Sequence, residues 1–433
     1  MGAWWMLAVL LLLYTLAFVD RIVISMLVDP IKRTLAVSDV QMGMIIGSAF
    51  GISYCIFGYV FGLAADRMSR RNVISGGVTL WSLSAGLSGL AGNFTALLFF
   101  RVGVGAGEAA LTPAAYSLLT DKFPHRRLTT AMAIYQMGAK LGAAIAFAVG
   151  GASIAFATWL QHTRGPLVSA MEPWQIALAI TGLPGVLVGL LVFTFREPLR
   201  GASAEKAAAE KAPLLPFLRS ERRALVPMAI GFAAIAITMY SLTSWTPTYM
   251  SRRFGWHPAE YGPMLSLISL IGAGSMIIKG MIVDWLYSRG MRDAHLRFFT
   301  WLLAGTIPLG AIAFFIPDPW LFLIVYGIVE VVALQFVVFM GATLQLLVPP
   351  PLRGQMTGLF LGVFTFLGLG AGPTFTALLT DYVFRDEAKL GLSLATTVCL
   401  TIPLAWVCLR SALSPINAAF DRRDDIGHAH ASE

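Results

Sequence analysis

The sequence predicts an all-α integral membrane protein of twelve transmembrane helices, arranged as two pseudo-symmetric six-helix bundles. Three observations carry that expectation. Apolar runs long enough to cross a bilayer recur along the whole chain, charge is scarce, and motifs repeat 218 residues apart. Of the 433 residues 57% are hydrophobic and 12% charged, with a mean hydropathy of +0.74. A soluble domain carries roughly 25% charged residues, so this chain has too little polar surface for water. A run of about 18 or more apolar residues is long enough to cross a hydrocarbon core of about 30 Å.

The first apolar run, Trp4 to Val28, lacks a basic leading region and a small-residue cleavage site, and reads as a retained first span. The eleven that follow fall near 39–65, 72–92, 94–120, 127–157, 173–195, 225–250, 258–286, 293–316, 319–347, 353–382 and 387–410. Four segments are expected: a six-helix bundle over 1–195, a charged linker over 196–224, a second bundle over 225–413 and a polar tail over 414–433. The Ala/Glu/Lys-rich part of the linker suits either an amphipathic surface helix or a flexible tether. Cys55, Cys399 and Cys408 lie in apolar runs and read as small packing residues. No disulfide framework or metal-ligand spacing is present, so no metal and no cofactor are expected. The tail pair His428 and His430 is a weak metal site at most.

The net charge of +8 is a matter of orientation and not of nucleic acid. With the N-terminus inside, 20 of the 31 Lys and Arg fall on cytoplasmic segments, 7 on periplasmic segments and four (Arg21, Arg101, Lys140, Lys279) within spans. That asymmetry predicts a multi-pass protein of the inner membrane with both termini cytoplasmic.

The edge motifs come next. Gly62-Leu-Ala-Ala-Asp66-Arg67-Met-Ser-Arg70-Arg71 follows span 2 and resembles the loop signature of the major facilitator superfamily; Gly280-Met-Ile-Val-Asp284 follows span 8 at the repeat offset. A glycine there permits close helix approach, and an Asp can face the positive N-terminal end of a helix in the opposite half. Asp66 is thus expected to latch near Arg353 at the start of span 11, and Asp284 near Arg126 and Arg127 at the start of span 5. Arg67, Arg70 and Arg71 would hold the segment at the headgroups. Two parallel repeats imply a substrate site near the midplane and rocking of one half on the other.

On span 4, Arg101-Val-Gly103-Val-Gly105-Ala-Gly107-Glu108 resembles the superfamily's second signature. It has no strand before it and no βαβ unit after it, so it is no nucleotide loop. Gly103 and Gly107, four apart, suit close packing. Span 5 has the glycines but not the Gly-Pro of the antiporter motif, which leaves antiport unsupported and not excluded.

Ionisable residues inside a membrane are costly and point to function. The first half holds Asp20, Arg21, Arg101, Glu108 and Lys140. At 1.5 Å per residue, Asp20, Arg21 and Arg101 share a layer about 12 Å below one face, and Glu108 and Lys140 a second layer about 10 Å deeper. Both acids ionised, the five sum to +1, which suits an anionic group. A buried carboxylate that exchanges partners can take up and release a proton. Glu108, flanked by Gly and Ala with Lys140 as expected partner, is the first candidate for proton coupling and Asp20 the second. Arg21, Arg101 and Lys140 would form the head-group network, with Glu330 on span 10. Lys279 reads as snorkelling to the surface. The other wall is greasy, with Tyr240, Trp245 and Tyr249 as cavity or gate aromatics and Trp245-Thr246-Pro247 expected to kink or break span 7.

These residues resemble the spinster-like lipid transporters of the superfamily, in a compact bacterial form. The resemblance runs from Tyr14 to about Leu394 on Asp20-Arg21, Ser38-Asp39-Val-Gln41-Met-Gly43, Ala64-Ala-Asp66-Arg67, the Gly107-Glu108 pair, Pro113-Ala-Ala-Tyr116-Ser117 and Thr380-Asp381-Tyr382. It implies export of lysophospholipid- or sphingoid-phosphate-like amphiphiles by alternating access. Asp20 and Glu108 would then be proton-linked, and Arg21 and Arg101 would meet the head group. The chain departs from the family in its brief stretch before Trp4 and in apolar Ala36 and Val37. The expectation is a proton-linked secondary transporter of amphiphilic anions, a monomer in the bilayer, not an enzyme. The alternatives are a proton-coupled symporter of small organic anions such as sugar acids, and a non-transporting membrane sensor or scaffold.

Overall fold

The structure is a computed structural model and describes residues 2–163, 170–198, 214–349 and 352–431. The Ala/Glu/Lys-rich run of the linker lies outside the described residues, as do the side chains of Arg126, His428 and His430. Twelve helices are long and apolar enough to cross a membrane. Spans 1 to 6 are Ala3–Met26, Asp39–Arg67, Arg70–Leu90, Phe94–Lys122, Thr130–Thr163 and Pro173–Thr194. Spans 7 to 12 are Arg222–Phe254, Pro258–Ser288, Ala294–Ala313, Pro319–Leu347, Gln355–Phe384 and Glu387–Arg422. The backbone must satisfy its own hydrogen bonds in hydrocarbon, which is why every apolar run becomes a helix. No strand occurs among the described residues.

Packing divides the chain into two compact units. Unit one comprises Met1–Gly201, Tyr240–Leu270 and Leu369–Leu394; unit two comprises Ala202–Met239, Ile271–Gly368 and Ala395–Glu433. Lipid gives helices no hydrophobic reason to associate, so close packing through small residues does that work. In unit one, span 4 lies in the groove between spans 2 and 3. A Cβ at Gly105 would strike Phe50 and Ser53 of span 2, and one at Gly107 would strike Gly77 and Trp81 of span 3. Gly103 meets Ser84 in the same way. The expectation for Gly103 and Gly107 is met. That for Gly62 is not, since a Cβ there would meet no atom within 4 Å.

Several spans are interrupted where hydropathy gave no warning. Span 4 breaks at Ala109–Ala110, one residue past Glu108. Pro113 accounts for it, because a proline ring clashes with the carbonyl four residues earlier. Span 2 contains a π-turn at Met44–Ser48, and span 10 is interrupted between Ala333 and Val337. Span 7, by contrast, is one continuous helix through Pro247, without the break that was the other expectation there. Loss of one backbone bond is tolerated in a packed bundle.

Unit two is centred on stacked rings: Phe232, Phe299 and Phe339, joined by Phe336 and Phe364. Lys279 is buried at 8% exposure and donates to the Val331 carbonyl beside the span 10 break. It does not snorkel, because the break gives its ammonium a carbonyl inside the bundle.

Candidate anion and proton site

Unit one carries the charges. Asp20 and Arg21 come from the last turns of span 1, Arg101 and Glu108 from one face of span 4, seven residues apart. Arg21 Nη2 donates to Glu108 Oε2, and the pair is nearly enclosed, with 11% and 1% of the side chains exposed. The layered expectation therefore needs correction: Glu108 takes Arg21, and not Lys140, as its ion-pair partner. Residue depth measured along the axes overlooked the long arginine side chain, whose guanidinium sits well away from its own Cα. Lys140 is half-buried on span 5.

Arg101 is only 2% exposed and makes no hydrogen bond among the described residues; its Nε and Nη2 are buried without a partner. The second Glu108 oxygen, Oε1, is likewise unpartnered. Asp20 is 6% exposed and lies within charge range of Arg101 and Glu108. The Trp81 indole lies near Asp20, yet its N–H falls outside hydrogen-bond geometry. An orphaned buried guanidinium is expensive, and native structures that keep one pair it with an ordered water, an ion or a functional role.

Aromatic rings complete the site. Arg21 lies over Phe18 (4.4 Å), Phe50 (4.6 Å) and Tyr54 (5.5 Å), and Arg101 over Phe50 (5.7 Å). Tyr14 stacks on Tyr135 with centroids 4.5 Å apart, and Tyr116 meets Tyr135 edge-on. Hydroxyls of Thr112 and Tyr135 are 3.3 Å apart, and Gln136 donates to the Tyr116 hydroxyl. Tyr240 is half-buried within range of Arg21. Sequence reasoning missed these first-half rings, although Tyr14, Phe18 and Arg21 follow the four-and-three spacing of one helix face. The expected gate aromatics Trp245 and Tyr249 are buried anchors at 0% and 2% exposure, and Trp245 Nε1 donates to the Pro373 carbonyl at 2.9 Å.

In unit two, Glu330 accepts from Gln335 at 3.2 Å, and Gly272 of span 8 gives that pair room.

Two ion clusters flank the site within unit one. At the Asp66 end, Arg70 is 1% exposed and bonded to Asp121, Glu197 (2.9 Å), Ser117 (3.0 Å) and the Pro198 carbonyl (2.6 Å). Arg71 donates to the Phe195 carbonyl at 2.8 Å. These two arginines therefore clamp span 3 to the ends of spans 4 and 6, and do not rest at headgroups as expected. The half-buried carboxylates of Asp121 and Glu197 hold the buried Arg70 guanidinium inside the unit. Asp66 and Arg67 are exposed, with no ion pair among the described residues of unit one. Asp284 is exposed near His295, and Arg353 Nε donates to the Val348 carbonyl at 3.1 Å.

Burial pushes the Glu197 carboxyl up, but the Ser69 hydroxyl and the Arg70 N–H and guanidinium outweigh it and hold the group down to about 2. A depressed carboxylate gives stability above its unfolded value of about 4.3, lost as pH falls through the folded value. The melting-temperature difference between wild type and Glu197→Gln is thus expected to be constant above about pH 4.5 and to shrink toward pH 2. A difference that does not change with pH would contradict the clamp.

At the opposite end, Arg252 of span 7 bridges Asp29 (2.8 Å) and Asp39 (2.7 Å). Lys32 pairs with Asp39 and with Glu387 (2.7 Å). Asp39 is completely buried. The Asp381 carboxylate accepts from the Val40 N–H at 2.7 Å, at the N-terminus of span 2. Carboxylates are favoured there by the helix dipole. This network was not expected from sequence, where Arg252 counted only as a loop charge.

The family model described as Major Facilitator Superfamily matches residues 10–406. The chain belongs to this superfamily of membrane transporters and is not an enzyme. An MFS-type efflux pump of Mycolicibacterium smegmatis is 28% identical, over 99% of this chain and 95% of that protein. A probable L-galactonate transporter of Escherichia coli is 23% identical, over 95% and 90%. The crystal structure of a bacterial homologue of the human lysosomal transporter Spinster, inward-facing and unoccupied, superposes with a TM-score of 0.79 at 26% identity, covering 96% of each chain. The resemblance to spinster-like transporters read from the motifs therefore holds along nearly the whole chain.

Proposed function

We propose that this superfamily member is a secondary active transporter of amphiphilic anions of the lysophospholipid or sphingoid-phosphate kind, coupled to protons and working by alternating access. The observation that carries the reading is Arg101, a buried guanidinium with two unpartnered nitrogens beside the Arg21–Glu108 pair. With both acids ionised, Asp20, Arg21, Arg101 and Glu108 sum to zero. A proton on Glu108 releases Arg21 and leaves a net positive site flanked by a second free guanidinium. An anionic head then bridges Arg21 and Arg101, and Phe18, Phe50 and Tyr54 offer apolar contact to the adjoining part of the substrate. Proton uptake and anion binding thus favour each other, which is what symport requires.

A second reading has its own observation. Tyr14, Tyr54 and Tyr240 lie within charge range of Arg21, and Tyr135 stacks on Tyr14 and meets Tyr116 edge-on. Their hydroxyls, with Thr112 and Gln136, suit a small sugar acid, and the likeness to an L-galactonate transporter supports it. The scaffold reading has less behind it, since a static protein has no use for an orphaned buried guanidinium.

The rest of the reading follows from charge placement. The protein acts as a monomer in the inner membrane with both termini cytoplasmic, so the Asp39 end faces outward. Asp66 with Arg353, and Asp284 with the start of span 5, are the inner latches of the alternate state. The linker over 196–224 joins two six-helix repeats, 1–195 and 225–413, and a polar tail follows over 414–433.

The test is flux into proteoliposomes of two probes, oleoyl-lysophosphatidylglycerol and galactonate, with and without an imposed pH gradient. Gradient-dependent movement of the lysolipid supports the first reading, and movement of galactonate alone replaces it with the second. Movement of neither probe removes the organic-anion function.

A further inference from the structure

Phe50 occupies an unusual place between the charges and the moving parts. It is fully buried, and two guanidiniums lie over its one ring, Arg21 at 4.6 Å and Arg101 at 5.7 Å. Arg21 has Phe18, Tyr54 and Glu108 besides. Arg101 has no hydrogen bond among the described residues to fix its direction, and Phe50 is the ring it lies against. A ring face attracts a cation through its quadrupole, most strongly where water is excluded, and does so without neutralising it. A carboxylate in the same place would orient Arg101 equally well and consume the charge that a substrate needs.

The backbone around Phe50 is held on both sides. Across from span 4, a Cβ at Gly105 would lie 3.1 Å from the Phe50 Cα. Across from span 11, a Cβ at Gly51 would lie 2.7 Å from the Gly370 Cα, and one at Gly47 2.9 Å from the Leu369 carbonyl oxygen. The π-turn at Met44–Ser48 ends just before Phe50. Such a turn inserts one residue and rotates all that follows about the helix axis, and π-turns concentrate at functional positions. Here it sets which way Phe50 faces.

We propose that Phe50 is the positioning residue of the anion site: its ring aims both guanidiniums, Arg101 above all, and leaves their charge available to the substrate. The inference rests on the reading of Arg21 and Arg101 as the anion site. Because span 11 packs against the backbone on either side of Phe50, the aim of Arg101 also depends on the span 2–span 11 contact.

The test keeps the shape of the ring and removes its quadrupole. Phe50 is replaced by 4-fluoro-, 3,5-difluoro- and 3,4,5-trifluorophenylalanine, and by Leu and Tyr. Uptake is measured with whichever probe, oleoyl-lysophosphatidylglycerol or galactonate, wild type moves. KM is expected to rise stepwise with fluorination, by about three- to tenfold at the trifluoro ring, with the maximal rate little changed. Phe50→Leu should match the trifluoro ring, and Phe50→Tyr should stay near wild type. A purely space-filling Phe50 gives the opposite order, with Leu tolerated, Tyr harmed and a flat fluorine series; that result overturns the proposal. Melting temperatures of the same series, in wild type and in Arg101→Met, decide the matter without transport. A stepwise fall that needs Arg101 supports positioning, and equal slopes in both backgrounds refute it. Should wild type move neither probe, the functional reading fails while the melting series still judges Phe50.

Discussion

Replacing Glu108 by glutamine is expected to abolish the response of transport to an imposed pH gradient and to cut gradient-driven accumulation at least about 100-fold, while leaving anion binding intact. Glutamine has the shape of the protonated acid and cannot give up a proton. Arg21 therefore loses the competitor that the ionised carboxylate provides. A charge-assisted hydrogen bond is worth about 1.5–3 kcal/mol, so the anion no longer pays about 10- to 100-fold in affinity to displace Glu108. Wild type should bind the anion more weakly as pH rises and Glu108 ionises. Glu108→Gln should bind it with the tight, acid-limit affinity at every pH. Tight binding without reset is poor transport, because the carboxylate that would eject the anion from Arg21 has gone. Equilibrium binding between pH 5 and 9, alongside flux, separates the two effects. A variant that still accumulates substrate against its gradient would exclude Glu108 as the proton carrier and move the role to Asp20, whose asparagine variant belongs in the same experiment.

Much of this was legible in the chain, and the reasons are physical. Bilayer thickness fixes how long an apolar run must be, so the sequence boundaries of the spans lie close to the helices. Asp20, Arg21, Arg101 and Glu108 stand out because charge in hydrocarbon is costly, and all four lie near one another in unit one. Their pairing was not legible. Arg21 and Glu108 are 87 residues apart, and axial depth assigned Glu108 to Lys140 because it ignored side-chain reach. The span 4 break beside Glu108 could have been read from Pro113, while Pro247 invited a break where the helix runs on. Arg70 resembled a headgroup anchor because nothing local reveals Glu197, 127 residues away, as its partner. Phe50 was invisible for a different reason. An aromatic residue in a membrane span is ordinary, and only the two guanidiniums over it give it meaning.

The network around Arg252 is where a single substitution should move the conformational equilibrium furthest. Arg252 holds Asp29 with Nε and Nη2 and Asp39 with Nη1 and Nη2, at 2.7 to 3.0 Å. Asp39 is fully buried, and Lys32 alone cannot replace a two-pronged guanidinium. Removing one partner of a buried ion pair costs about 3–5 kcal/mol, because the other charge stays desolvated. Reversing a 99:1 population takes about 5.5 kcal/mol. Arg252→Met should therefore take the closed Asp39 end from nearly full occupancy to a minority, with the protein relieving the cost by opening and hydrating Asp39. Met42, wholly buried on span 2, serves as the reporter. In a background with Cys55, Cys399 and Cys408 replaced by serine, a cysteine at position 42 should react slowly with an impermeant maleimide. Adding Arg252→Met should raise that rate at least about tenfold, and Arg252→Lys, which keeps the charge but not the fork, should fall between. Asp39→Asn separates lock from fold. It frees Arg252 without burying a lone carboxylate, so the end should loosen while the melting temperature changes less than in Arg252→Met. An unchanged labelling rate in all three variants would mean that the glycine contacts of span 2 with span 11 close this end by themselves. The ion network would then set only its stability, and the energy that opens the transporter would have to be sought at the Gly47 and Gly51 contacts.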